Sequence, residues 1–173
     1  MGNAVTHLHI PFGKRGNHGL DAKALRQAKG TITLPRLTHV YDARRGKYLG
    51  ETKSIEVRFA PDWMGNVFAC LPYKVAGVTI SGLKKTYAPG DTVAFGAAVT
   101  PEPVREEAHT LRVQVFGPDG KERSLYADRI ETKDGVAKGE VYLALNDPPG
   151  TWRLAVTDMV SGVEGQVAFD VTK

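Results

Sequence analysis

The sequence predicts an all-β protein built from two tandem antiparallel β-sandwich domains, and three observations carry that expectation. From Thr31 to Val171 apolar and polar side chains alternate with a period of two, the pattern of strands that bury one face and wet the other. Turns rich in proline and glycine interrupt the alternation at short intervals, as all-β folds require. Hydrophobic residues make up 42% of the chain and charged residues 24%, which is enough apolar surface to form cores and too little charge for a disordered chain.

Residues 1–30 form an irregular segment of the first domain. Gly13 to Gly19 is a polar, glycine-rich loop, and Leu20 to Lys29 has the composition of a short helix that Gly30 stops. The first β-domain spans 31–76. Thr31–Pro35 and Leu37–Asp42 read as strand segments, Ala43–Gly46 as a turn, and Lys47–Gly50 as the return of a hairpin. Ser54–Phe59 puts Ile55, Val57 and Phe59 on a buried face and Glu56 and Arg58 on a wet one. Val67–Leu71 is a further apolar strand, and Tyr73–Gly77 reads as a connector.

The second domain spans 77–173. Val78–Gly82 opens it, Tyr87–Asp91 is a turn, and strands are expected over Thr92–Val99, His109–Phe116, Val136–Leu145, Thr151–Thr157 and Gln166–Val171. This number of short strands in so few residues predicts an immunoglobulin-like β-sandwich. Its expected core is Leu111, Val113, Val115, Val141, Leu143, Leu145, Trp152, Leu154, Val156, Val167, Phe169 and Val171. At about 1.5–3 kcal/mol for each large apolar side chain fully buried, such a core needs no disulfide. The lone Cys70 lies in an apolar run and is expected to be a buried, inert thiol.

Charge and motifs exclude more than they assign. Residues 1–60 carry 11 Lys and Arg against 4 Asp and Glu, but the cations are scattered and accompany no recognition helix or aromatic RNA motif, so no nucleic-acid partner is expected. Apolar runs fall far short of the roughly 20 residues of a membrane span, and no membrane partner is expected. His7 and His9 face the same way on a strand, yet only His18 and His39 could add a third ligand, and no metal or cofactor is expected. Asp42, Glu51 and Glu56 are acids of the kind that glycoside hydrolysis pairs across a cleft; at hairpin ends and on polar strand faces they read as solvated charge. No phosphate-binding glycine loop or nucleophile elbow is present, so no catalytic residue is assigned. A flat ring can stack on a sugar, which makes Trp63, Tyr48 and Tyr73 the candidate carbohydrate or interdomain contacts.

Tyr41-Asp42, Gly46 to Gly50, Ile55 to Val57 and Phe68 to Tyr73 together resemble a stretch near the C-terminus of large bacterial β-galactosidase-like glycoside-hydrolase polypeptides. Tyr87 to Asp91, Gly117 to Gly120 and Pro149 to Leu154, followed by Val156 to Asp158, are similar to macroglobulin-like and other immunoglobulin-like bacterial modules. The resemblance implies a non-catalytic accessory module whose partner is a larger parent polypeptide, with a glycan as a second partner. It implies an extracellular or periplasmic location for an excised piece, and a complete chain would be cytoplasmic. Two other readings stand beside it: a carbohydrate-binding module using exposed aromatics, and a small hydrolase.

Overall fold

The computed structural model describes residues 5–7, 29–58, 65–102 and 108–172. Its elements are β1 (Val5–His7), β2 (Lys29–Asp42), β3 (Lys47–Arg58), β4 (Val67–Leu71), β5 (Lys74–Ser81), β6 (Thr86–Tyr87), β7 (Thr92–Glu102), β8 (Thr110–Phe116), a 3₁₀ turn at Ser124–Tyr126, β9 (Asp128–Glu131), β10 (Val136–Tyr142), β11 (Gly150–Asp158) and β12 (Glu164–Val171). The fold is all-β, as the alternation predicts. The chain divides into two compact units, Met1–Tyr73 and Lys74–Lys173.

In the first unit, the described residues form one sheet of order β1-β4-β2-β3, antiparallel throughout. Leu34, Val40, Ile55, Val57 and Phe68 make its core, with Cys70 packed against them half-buried. Ile55 and Val57 face inward and Glu56 and Arg58 outward, in the predicted register. Phe59 and most of the expected helix at 20–29 lie outside the described residues; Lys29 opens β2. The two segments expected around Pro35 are one strand. Its register against β3 shifts between Thr33 and Thr38, and that irregularity accommodates a proline with no N–H to give to the ladder. Arg45 donates its backbone N–H to the Asp42 carbonyl, and Gly46 at φ 57° closes the hairpin turn in a conformation that suits glycine.

The second unit stacks two sheets, of order β10-β7-β5 and β6-β12-β11-β8-β9. Every pairing is antiparallel except β6 with β12. Successive strands cross from one sheet to the other except at β8–β9 and β11–β12, which pair as neighbours within the larger sheet, in the manner of an immunoglobulin-like sandwich. Val93, Phe95, Leu111, Val113, Val115, Trp152, Leu154 and Val156 fill the space between them. β5 begins at Lys74, so the expected connector at 73–77 is mostly strand. Leu145 corrects the expected core: β10 ends at Tyr142 and Leu145 is 85% exposed on the following turn, while Leu143 is buried. Val167 is half-buried.

Candidate functional site

Of the three aromatic candidates, Tyr48 has an exposed ring and neighbours capable of chemistry. It stands at the start of β3, opposite Tyr41 on β2, and the two rings lie 5.0 Å apart. Its Oη is 2.7 Å from Nδ1 of His39, and the rings of the two residues stack with centroids 5.9 Å apart. Glu51 pairs with His39 across the strands, its Oε1 3.9 Å from Nε2. Partial burial raises the Tyr48 phenol above its ordinary pKa, and the charge of Glu51 adds to the rise, so the hydroxyl stays protonated. The cluster therefore offers a ring face beside a hydroxyl, an imidazole and a carboxylate.

Tyr73 is corrected as a glycan contact: it is fully buried and offers no ring face to solvent. Trp63 lies outside the described residues. Asp42 is buried at the hairpin turn, where its carboxylate accepts from the Arg45 side chain at 2.5 Å and from the Arg45 backbone N–H at 3.2 Å. That is a turn lock. Glu56 projects from the wet face of β3, and the three acids do not converge. Burial raises the Cys70 thiol pKa, which disfavours the nucleophilic thiolate. Among the described residues no three His, Cys, Asp or Glu side chains could hold a metal ion, and no helix is long and apolar enough to cross a membrane.

Sequence reading missed the most heavily bonded polar cluster, in the second unit. His109, read from the sequence as the start of a strand, is buried, and Thr132 closes over its backbone. The His109 N–H donates to Thr132 Oγ1 at 2.8 Å, and the Thr132 N–H donates to the His109 carbonyl at 2.9 Å. Its Nδ1 lies 2.9 Å from Oδ1 of Asp158, which has no exposed surface. Oδ2 of Asp158 accepts from the Ser161 hydroxyl at 2.6 Å and the Ser161 N–H at 2.9 Å. Burial works to raise the Asp158 carboxyl, but the bonds from His109 and Ser161 outweigh it and hold the pKa below the ordinary carboxylate value. With Asp158 ionised, Nδ1 of His109 carries the proton and donates it.

This trio holds serine, histidine and aspartate in the wrong order for acyl transfer. A nucleophilic serine gives its proton to an imidazole that the acid orients; here the serine hydroxyl points at the acid. The bonds instead close the β11–β12 turn, where the Gly162 N–H also donates to the Asp158 carbonyl at 2.8 Å. The one local signal was an aspartate at the end of an apolar strand with serine and glycine three and four residues on, a side-chain-bonded turn pattern. Among the described residues no buried side-chain nitrogen or oxygen lacks a hydrogen bond.

No family model matches the chain, and no curated protein matches its sequence. The solved structures similar to it include Escherichia coli alpha-2-macroglobulin activated by porcine elastase, with a TM-score of 0.48 and 19% identity over 54% of this chain and 8% of that one. Salmonella alpha-2-macroglobulin reacted with methylamine gives 0.47 and 16%, over 84% and 11%. The β-glucosidase of Listeria innocua in complex with isofagomine gives 0.41 and 13%, over 72% and 19%. This chain thus spans between 8% and 19% of the length of these chains. The sandwich character of the second unit stands on its own strand order: it is an immunoglobulin-like β-sandwich.

Proposed function

We propose that the chain is a non-catalytic accessory β-sandwich module of a larger, carbohydrate-active bacterial protein, where it mediates domain packing or partner interaction. One observation carries the reading. The residues that most resemble catalytic machinery, His109, Asp158 and Ser161, are sealed from solvent and direct their hydrogen bonds at one another and at a turn. Such a network fixes the relative position of β8, β9 and β11, which suits a module whose task is to hold a shape. The membership of a carbohydrate-active parent rests on the residues of 41–73 that resemble glycoside-hydrolase sandwiches.

The test is a panel of aryl glycosides, esters and peptides across a range of pH. The expected result is no turnover above buffer. Turnover that disappears in Asp158→Asn or Glu51→Gln would replace this reading with a hydrolase.

Tyr48 supports a second reading, carbohydrate binding by the first unit, because its ring is exposed beside His39 and Glu51. A glycan array decides it: binding that is lost in Tyr48→Ala or Trp63→Ala supports a sugar site, and an array without signal removes it.

A further inference from the structure

One edge of the second unit is open over a defined length. The backbone N–H and carbonyl of Val136 both bond to Lys133, on the side of β10 away from β7. Backbone groups alternate in direction along a strand. Lys138, Glu140 and Tyr142 therefore aim theirs to the same outer side as Val136. Leu143 confirms the parity, its N–H pointing the other way, to the carbonyl of Asp91 at the start of β7. Beyond it, the outward N–H of Ala144 is taken by Tyr126 Oη at 3.0 Å and Asp147 Oδ2 at 2.8 Å. Lys133 thus closes one end of the edge and Tyr126 the other, and no strand among the described residues pairs with the stretch between them.

β10 differs from the other long edges, β5 and β3, in the regularity of its pairing, although it carries Lys138 and Glu140. β5 has a register irregularity between Val75 and Gly77, and the pairing of β3 with β2 has two. β10 pairs with β7 in unbroken register from Val136 to Tyr142 and contains no proline. Beside the open edge lies a depression of about 390 Å³ between Glu140–Tyr142 and Leu125–Asp128. Leu125 is 84% exposed and Tyr142 67%, so two large apolar side chains flank it. Its charged lining residues are acidic, Asp128 and Glu140, and the Tyr142 hydroxyl donates to Glu140 at 2.6 Å, tying the ring to the carboxylate.

We infer that the β10 edge from Lys138 to Tyr142 is a docking site for a short extended peptide segment of a partner protein, in which a Lys or Arg stands two residues from an apolar side chain. The segment adds as a strand, its backbone bonding to Lys138, Glu140 and Tyr142, its cation meeting Glu140 and Asp128, and its apolar side chain lying between Leu125 and Tyr142. The two plugs limit it to about five residues, a length that permits weak, exchangeable binding. This deepens the partner-interaction part of the function proposed above. Its failure would leave the non-catalytic assignment standing, since the substrate panel tests that separately.

The test titrates the full chain, labelled with ¹⁵N, with the acetylated and amidated pentapeptide Thr-Lys-Thr-Leu-Thr, which puts cation and apolar side chain on one face, its counterpart with Glu at the basic position, and a version with proline at the centre. The expected result is that amide resonances of Lys138, Glu140 and Tyr142 shift with the basic peptide, and respond about tenfold more weakly to the acidic and proline peptides. Glu140→Lys should weaken the basic peptide by about as much while leaving the spectrum of the remaining core unchanged. Leu125→Ser, on an exposed turn, checks the apolar arm without touching the strand, and should also weaken it. No shift at these amides with millimolar basic peptide, or equal response to the acidic one, overturns the proposal. Self-association that Glu140→Lys abolishes and the peptide does not compete overturns it too, by making a second copy the occupant.

Discussion

Asp158 ends β11 with its carboxylate 2.9 Å from the imidazole of His109, which lies 49 positions earlier in the chain, and both side chains are buried. The pair ties the start of β8 to the β11–β12 turn. Removing the acid would strand a buried imidazole and free two donors on Ser161. Asp158→Ala is expected to cost about 3–5 kcal/mol of stability, measured by urea denaturation. Asp158→Asn, which keeps an acceptor for Ser161, should cost less.

The same acid makes stability depend on pH. Its pKa in the folded chain lies below the ordinary carboxylate value, which is about 3.9 in an unfolded chain. Above that value the acid is ionised in both states and its contribution is complete. As pH falls through the lower folded value the contribution is lost. The stability difference between the native chain and Asp158→Asn should therefore hold from neutral pH down to about 4 and shrink below it.

Gly165 on β12 and Gly77 on β5 should respond oppositely to a methyl group. A β-carbon at Gly165 would collide with the backbone carbonyl of Val78, which cannot swing aside as a side-chain end could. Gly165→Ala should lose about 1–3 kcal/mol. At Gly77 nothing lies within 4 Å and φ is not positive. Gly77→Ala should be neutral, or gain up to about 1 kcal/mol by restricting the unfolded chain. Thermal melts of the two variants suffice.

Leu143 and Leu145 provide a sharper contrast between neighbours. Leu143→Ala empties a buried site and should cost about 2–5 kcal/mol. Leu145→Ser should change stability by less than about 0.5 kcal/mol, because the side chain is 85% exposed. Equal losses at the two positions would place Leu145 back in the core.

Those two leucines also show how far the sequence could be read. Alternation from Val141 through Leu145 is unbroken in the sequence, but the strand stops at Tyr142, where Tyr126 and Asp147 capture the next N–H. A side-chain bond across the sequence, invisible to periodicity, ended the element. β9 was missed because Asp128-Arg129-Ile130-Glu131 has one apolar residue, although Asp134-Gly135, with both φ positive, marks the tight turn after it. β6 is two residues held beside β12, and no local pattern announces it. By contrast Ile55, Val57, Leu111, Val113, Val115 and Trp152 were legible, because each sits where period two alone decides burial. Tyr48 stood out as a ring on a hairpin, and its link to His39 follows from register. The His109–Asp158 pair could not be seen, since it depends on which strands become neighbours.

The sealed indole of Trp152 gives the second unit a built-in optical reporter. Its Nε1 donates to the Pro148 carbonyl at 3.1 Å, and Phe169, Tyr126 and Arg123 surround the ring. The chain has two tryptophans, the other being Trp63 in the first unit. Replacing Trp63 with phenylalanine leaves emission from one unit only. A red shift during denaturation then dates the opening of the second unit, and far-ultraviolet dichroism on the same sample tells whether the first opens with it or apart.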